Sequence, residues 1–442
     1  MKFGLLGLSL LMSFSVLAQK IEEEVFVIGF DKQKVKLIEK NPELIIDHAF
    51  QDGFELYGPT GMKKWLDNVG IEYVENISFH DHDKSAEDAL DYPSFQEITR
   101  FLKDITNKYP KIAKLESIGK SVEGRDLWVV KISDNVNTDE REPEFKYISS
   151  MHGDEITGRE LTQFLIKDIL EGYDSDPEIR ELVNNTEIYI MPSMNPDGSQ
   201  RRQRANANGY DLNRNFPEYT RNDQNSSRNR QPETVAVMDF QADRNFALSA
   251  NFHGGAICVN YPWDATYTKH PFDKLVKGLS LKYAGLNSEM RDSREFDDGV
   301  TNGAEWYVLR GGMQDWSYAY HNDLQVTIEL SDRKWPRYRD IPGFYDRNKK
   351  SMLEYLKSAH QGAGFKLADR DATGKVSIIK VLSGGVSKPL GTYGFGHGEF
   401  YKILEPGDYR FNVLVDGETQ RRFFNTSVKD NTIYPDGNYT QL

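Results

Sequence analysis

Cysteine occurs once in 442 residues, at Cys258, which excludes an intrachain disulfide. Internal repeats and low-complexity tracts are missing as well. After the first few residues no apolar run is long enough to span a membrane. Positive charge is in deficit: 55 Lys and Arg face 68 Asp and Glu, for a net charge of −13. That balance argues against nucleic acid or an anionic membrane as partner and mildly favours the approach of cationic peptides. A chain without disulfides must be held together by core burial, and this length allows two or three domains, one with a substantial core.

What the chain does have begins at its N-terminus. Met1-Lys2, the mostly apolar Phe3 to Ser15, and Val16-Leu-Ala18 form the charged start, apolar middle and small-residue end of a secretory signal peptide. Cleavage is expected after Ala18, and no cysteine follows to take a lipid. Export without disulfides suits a bacterial periplasmic or secreted protein. Residues 19–80 carry runs in the order β-α-β-β-α-β, that of a ferredoxin-like α+β unit. An acidic segment at 81–91, preceded by His80, lacks periodicity and reads as an exposed linker open to proteolysis, with His80 and His82 solvated.

A second domain is expected over 92–361, opening at Ser94 and Glu97 with capping-box spacing before an amphipathic stripe. Strand-like and helical patterns then alternate, which predicts an α/β fold with a mixed, mostly parallel sheet flanked by helices. From 362 to 442 the texture changes to short alternating runs with frequent glycine, read as a small β-sandwich.

Candidate chemistry concentrates where predicted strands end. The run Phe145 to Met151 breaks at His152-Gly153 and passes into a helical pattern, so His152 and Glu155 occupy a strand-to-helix turn. Open α/β sheets place their ligand crevices there. His253 closes the apolar run from Phe246 and is followed by two glycines, which allow close backbone approach. Two imidazoles and one carboxylate make a zinc ligand set that leaves room for a water. Glu329 lies in Gln325-Val-Thr-Ile-Glu-Leu330, a strand fit for burial; a carboxylate there is either ion-paired or a general base. In the loop-forming segment from Met191 to Pro217, Arg214 can grip a carboxylate through two parallel hydrogen bonds, with Asn213 adding a donor. Arg204 can supply positive charge to a developing oxyanion.

Together these stretches resemble a known family. They include Glu142-Pro-Glu-Phe-Lys-Tyr147, His152-Gly-Asp-Glu-Ile-Thr-Gly-Arg-Glu160, Asn195-Pro-Asp-Gly198, Asp211-Leu-Asn-Arg-Asn-Phe-Pro217, Gln231-Pro-Glu-Thr234 and His253-Gly-Gly255. Asn260-Tyr-Pro-Trp-Asp264, Gly311-Gly-Met-Gln-Asp-Trp316 and Ile328-Glu-Leu-Ser331 continue the series in order. From about Tyr92 to His360 the chain resembles zinc metallocarboxypeptidases of the carboxypeptidase A type, and more narrowly the regulatory branch containing carboxypeptidases N, E, D and M. The resemblance implies a carboxypeptidase-like sheet followed by a transthyretin-like β-sandwich. It implies one Zn2+ held by His152, Glu155 and His253, with Asp211 orienting His152 and Glu329 as general base. It also implies that Asn213, Arg214 and Tyr307 bind the substrate's terminal carboxylate and that Arg204 polarises the scissile carbonyl. Asp264 and Gln314 match positions that make the branch select C-terminal Lys or Arg.

Two features depart from that branch. Its animal members carry more cysteines, and the N-terminal unit is not usual for it, resembling instead the activation segments of digestive carboxypeptidases. The expectation is therefore an exported zinc carboxypeptidase acting on peptide or protein C-termini, with residues 19 to about 80 covering the site until a protease cuts near the linker. A carboxypeptidase of other specificity, including one for cell-wall peptides, and a non-catalytic peptide-binding relative are the alternatives.

Overall fold

In the computed structural model, which describes residues 20–50, 52–75, 92–435 and 437–442, three groups of elements follow one another along the chain. The expected signal peptide, the linker and both of its histidines lie outside the described residues. Among the described residues no helix is long and apolar enough to cross a membrane.

Alternating apolar residues build the first group. Strands β1 (Glu23–Ile28), β2 (Ile45–Phe50), β3 (Gly53–Gly58) and β4 (Tyr73–Glu75) form an antiparallel sheet in the order β2-β3-β1-β4. Helix α1 (Lys32–Ile38), capped by Asp31, and α2 (Met62–Val69) cluster Val35, Ile38, Met62 and Leu66 with Val25, Val27, Phe54 and Leu56. Those residues make a core of their own, so the unit carries its own stabilisation.

The second group starts with α3 (Phe95–Lys108), whose Ser94 and Glu97 form the expected reciprocal cap. Eight strands follow: β5 (Ala113–Lys120), β6 (Asp126–Ile132), β7 (Glu144–Ser149), β8 (Glu187–Met191), β9 (Phe246–His253), β10 (Ala256–Tyr261), β11 (Val300–Asn302) and β12 (Leu324–Ser331). They form one mixed sheet in the order β11-β10-β12-β9-β7-β8-β6-β5. The four central strands β12, β9, β7 and β8 run parallel, while β10 against β12 and both pairings of β6 are antiparallel. The helices between these strands are α4 (Thr157–Gly172), α5 (Pro177–Val183), α6 (Pro196–Arg201), α7 (Pro232–Ala242), α8 (Asp273–Leu286), α9 (Ser288–Arg291), α10 (Gly303–Trp306) and α11 (Met313–His321), and α12 (Ile341–Lys357) follows the last strand. Strands β7, β9 and β12 are buried along their whole length, as central parallel strands covered on both faces must be.

The third group has two sheets. Strand β13 (Gly362–Lys366) leads into the four-stranded sheet of β14 (Gly374–Val381), β15 (Ser387–Phe395), β17 (Gly407–Val415) and β18 (Arg422–Val428). Strands β16 (Glu399–Ile403) and β19 (Tyr439–Gln441) flank β13 in a three-stranded sheet. The Phe365 ring of the smaller sheet meets Phe395 and Phe424 of the larger at 5.0 and 6.3 Å between centroids. This core is continuous with that of the eight-stranded sheet.

Candidate active site

Register decides which side chains meet. β7 and β9 pair Ser149 with Phe252, and β9 and β12 pair His253 with Glu329, so the carboxyl ends of three neighbouring strands coincide. The turn that follows β7 adds His152 and Glu155. Its tightness depends on Gly153, where a Cβ would lie 2.1 Å from the Gly198 carbonyl carbon. Helix α4 then comes so close to the sheet that a Cβ on Gly158 would meet Ser149 Oγ at 2.4 Å and Phe252 Cβ at 2.5 Å.

The expected ligands converge. His152 Nδ1 lies 2.9 Å from Glu155 Oε1, and His253 Nδ1 lies 2.7 Å from Glu155 Oε2. The three residues are buried and offer one donor atom each within 4.8 Å of one another. His152 turns its other nitrogen to Asp211 Oδ1 at 3.1 Å, the partner a metal-bound imidazole needs to fix its tautomer. Burial works against the Glu155 charge, but the electrostatic pull and hydrogen bonds of His152 and His253 outweigh it and hold the carboxyl well below its ordinary range. Two imidazole nitrogens and an ionised carboxylate are the donor chemistry of a zinc site with an open position, so the residues fit that ion.

Around this cluster, buried polar atoms with no hydrogen-bond partner among the described residues include Glu329 Oε2, His253 Nε2 and Arg204 Nη2. Arg204 is otherwise committed, with Nε at 3.0 Å from Asp211 Oδ2 and Nη1 at 3.3 Å from Glu155 Oε1. Burial, followed by the Glu155 charge, pushes the Glu329 carboxyl up to about 8. Asn195, which the sequence marks only by its matching motif, receives Gly198 N and donates to the carbonyls of Met151 and Arg204, tying both segments together.

The residues expected to hold a carboxylate lie beside this group and are already engaged. Tyr307 donates its hydroxyl to Asp47 Oδ1 at 3.1 Å, and Arg204 Nη1 meets Asp47 Oδ2 at 2.5 Å. Arg214 donates from Nη2 to the Ile46 carbonyl at 3.1 Å, while Asn213 Oδ1 receives Met313 N at 3.0 Å. Asp47 and Ile46 belong to β2, so the N-terminal sheet inserts its edge among the candidate binding groups. Its next residue, His48, packs against Gly255, where a Cβ would approach His48 Nε2 to 2.4 Å. His48, Asp47 and Glu55 then meet Lys334, whose Nζ is 2.5 Å from Glu55 Oε2. Nothing in the local sequence of either partner flagged Asp47 or Lys334; only their distant pairing reveals them.

Asp264 is brought next to Asn213 across Gly312, at whose Cβ position both carboxamide and carboxylate oxygens would be neighbours. It is buried, and its Oδ1 receives Gln314 Nε2 at 2.8 Å and Asn260 Nδ2 at 3.2 Å, amides rather than a cation. Burial raises its carboxyl to about 7. Asp315, also unforeseen, accepts the backbone N–H groups of Asp264 and Ala265 and fixes the turn. Gly303 is required beside it, because a Cβ there would lie 1.8 Å from Asp264 Oδ1.

Comparison with known proteins gives the family and the fold. The family described as zinc carboxypeptidase matches residues 98–351. Carboxypeptidase D of Homo sapiens is 40% identical over 369 residues, covering 78% of this chain but 26% of that protein, so the chain spans about a quarter of that relative's length. Carboxypeptidase M of Mus musculus is 40% identical over 357 residues, covering 74% of this chain and 80% of that one. The solved structure of carboxypeptidase A from Helicoverpa armigera superposes with a TM-score of 0.60 at 20% identity, over 76% of this chain and 97% of the other, and shows the shared fold.

Proposed function

Since this chain belongs to the zinc carboxypeptidase family, we propose that it hydrolyses the last peptide bond of peptides or proteins, preferably where the C-terminal residue is Lys or Arg. The observation that carries the reading is the convergence of His152, Glu155 and His253 beside the unpartnered polar atoms of Arg204 and Glu329. His152, Glu155 and His253 hold Zn2+, which when bound supplies a Lewis acid that polarises a carbonyl and acidifies water.

The chain's own residues do the rest. Arg214, Asn213 and Tyr307 receive the terminal carboxylate, which only the last residue of a chain presents. Arg204 Nη2 donates to the scissile carbonyl oxygen, where negative charge develops as water adds. Glu329 takes a proton from that water and delivers it to the amine nitrogen as the C–N bond breaks. Asp264, buried against amides, pairs with the substrate's guanidinium or ammonium; Gln314 holds its carboxylate in place.

The N-terminal unit, ferredoxin-like in strand order, is read as a cover. Asp47 and Ile46 occupy Arg204, Tyr307 and Arg214, the groups a substrate needs. Cleavage between the unit and Tyr92 would release it. Residues 362–442 are read as the transthyretin-like sandwich of the regulatory branch, and residues 1–18 as a signal peptide for export. An assay on peptides differing only in their last residue, with and without chelator, tests the activity. Chelator-sensitive release of Arg and Lys ahead of Phe and Ala is expected; release indifferent to chelator overturns it.

A further inference from the structure

Lys402 is an anomaly that none of this chemistry uses. It sits on β16 of the C-terminal sheets, 2% exposed, yet no carboxylate pairs with it among the described residues. Its Nζ lies 4.2 Å from the Tyr393 ring centroid, 4.7 Å from Tyr318 and 4.8 Å from Phe272, and it donates one hydrogen bond, to Tyr318 Oη at 3.3 Å. An ammonium buried without an anion is costly: burial pulls the Lys402 amine down to about 7, and three aromatic faces are the compensation on offer to its charged form. Two of those rings, Tyr318 and Phe272, belong to the eight-stranded sheet's side of the boundary.

Tyr318 links this socket to the candidate specificity pocket. It lies one turn from Gln314 and Asp315 on α11. Its ring is 4.2 Å from His270 and 5.6 Å from Trp263, which is itself 4.6 Å from His270. Trp263 precedes Asp264, and Asp315 holds the Asp264 backbone N–H at 2.9 Å. The Lys402 socket therefore clamps both segments that form the Asp264 pocket, the helix and the loop, from a sheet outside the one carrying the metal site.

We propose that Lys402 is a positioning residue for substrate selection: through Tyr318 and the Trp263–His270 stack, the C-terminal sheets hold Asp264 where it meets a basic side chain. The inference rests on Asp264 recognising that side chain. Loosening the socket lets the pocket open and admit water, which weakens a desolvated ion pair. Binding of the terminal carboxylate by Arg214, Asn213 and Tyr307 is left as it was.

The test is the ratio of kcat/KM for an Arg-ended peptide to that for its Ala-ended twin, measured on the full chain. Any fraction of molecules closed by the N-terminal unit cancels in this ratio. The same variants built on Asp47→Ala keep it readable where turnover is slow. Lys402→Met, one atom shorter and without the charge, is expected to lower the ratio about tenfold through KM for the Arg-ended peptide, with kcat on the Ala-ended peptide within about twofold. Lys402→Arg, which keeps the charge over the rings, is expected to restore most of the ratio. An unchanged ratio in a folded Lys402→Met overturns the proposal, as does equal loss on both peptides. If Lys402→Met does not fold, Tyr393→Leu removes one wall of the socket and is expected to lower the ratio about threefold; an unchanged ratio there overturns it too. A wild-type chain that does not prefer Arg over Ala defeats the Asp264 reading itself, a result separable from the variant's.

Discussion

At the scale of single residues, Glu329 and Asp264 are both buried carboxylates whose pKa burial raises, yet their surroundings give them different work. Among the described residues, Glu329 keeps one oxygen without a partner beside the His152–Glu155–His253 cluster. Replacing it by Gln preserves size and removes the proposed proton carrier. Glu329→Gln should bind zinc normally by metal analysis and lose about 10^2- to 10^4-fold in kcat. Substantial residual turnover would take it out of that role. Asp264 is the converse, a carboxylate hydrogen-bonded by the amides of Asn260 and Gln314. Asp264→Ala should lower kcat/KM for Arg-ended peptides by about 10^2-fold or more, while Ala-ended peptides change little; parallel loss on both would mean a structural residue. His152, Glu155 and His253 were legible in the sequence because each sits where a strand pattern stops, and strand ends in such sheets face the crevice. Asp47, Asp315 and Lys334 were not, since each is defined by a partner 50 or more residues away: Arg204, Asp264 and Glu55.

At the scale of elements, close approach is what aims the site. Helix α4 starts at Thr157, earlier than the apolar pattern from Leu161 suggests, because Gly158 lets its first turn lie against Phe252. Periodicity reports the buried stripe of a helix and is blind to a first turn made of Thr, Gly and Arg. Three strands of the eight-stranded sheet, β5, β10 and β11, also escaped periodicity. β5 loses its alternation after Glu116, where Ser117 and Gly119 accompany a break in its pairing with β6 at the edge of the sheet; β10 follows directly on the two glycines after His253, and β11 is only three residues long. None of the three carries His152, Glu155, His253 or Glu329. The packing at Gly158 makes a prediction at this scale. Gly158→Ala forces a methyl into contacts of 2.4 and 2.5 Å. It should cost about 1–3 kcal/mol of stability and, by tilting the turn that carries His152 and Glu155, weaken zinc binding measured by competition with a chelator. Normal zinc affinity in a destabilised protein would uncouple the helix from the metal site.

At the scale of the whole molecule, the N-terminal sheet meets the eight-stranded sheet through charge, and charge makes its grip depend on pH. Burial opposes ionisation throughout the cluster, but partners win. Arg204 and His48 hold Asp47 well below its ordinary value, Lys334 and His48 do the same for Glu55, and Asp47 raises His48 to about 10. Once the unit lifts away these groups return to water and to about their ordinary values. A raised His48 stabilises docking in full below about pH 6.5, and that contribution drains away as pH rises toward 10. The depressed carboxylates contribute in full above about pH 4.5 and lose their share as pH falls through their lowered values. Docking is therefore tightest near pH 5 to 6.5 and slackens on the alkaline side. Dividing the activity of the full chain by that of a preparation trimmed near Tyr92, at the same pH, removes the pH dependence of the chemistry itself. That quotient should climb by about tenfold or more between pH 6.5 and 9. Full-chain activity equal to the trimmed form at every pH would mean the unit is a permanent accessory. A low but flat quotient would mean that the cover holds by other contacts, such as the Ile46 carbonyl on Arg214 and the Ala49 carbonyl on the Trp306 indole. His48→Asn should flatten the slope while leaving those two contacts in place.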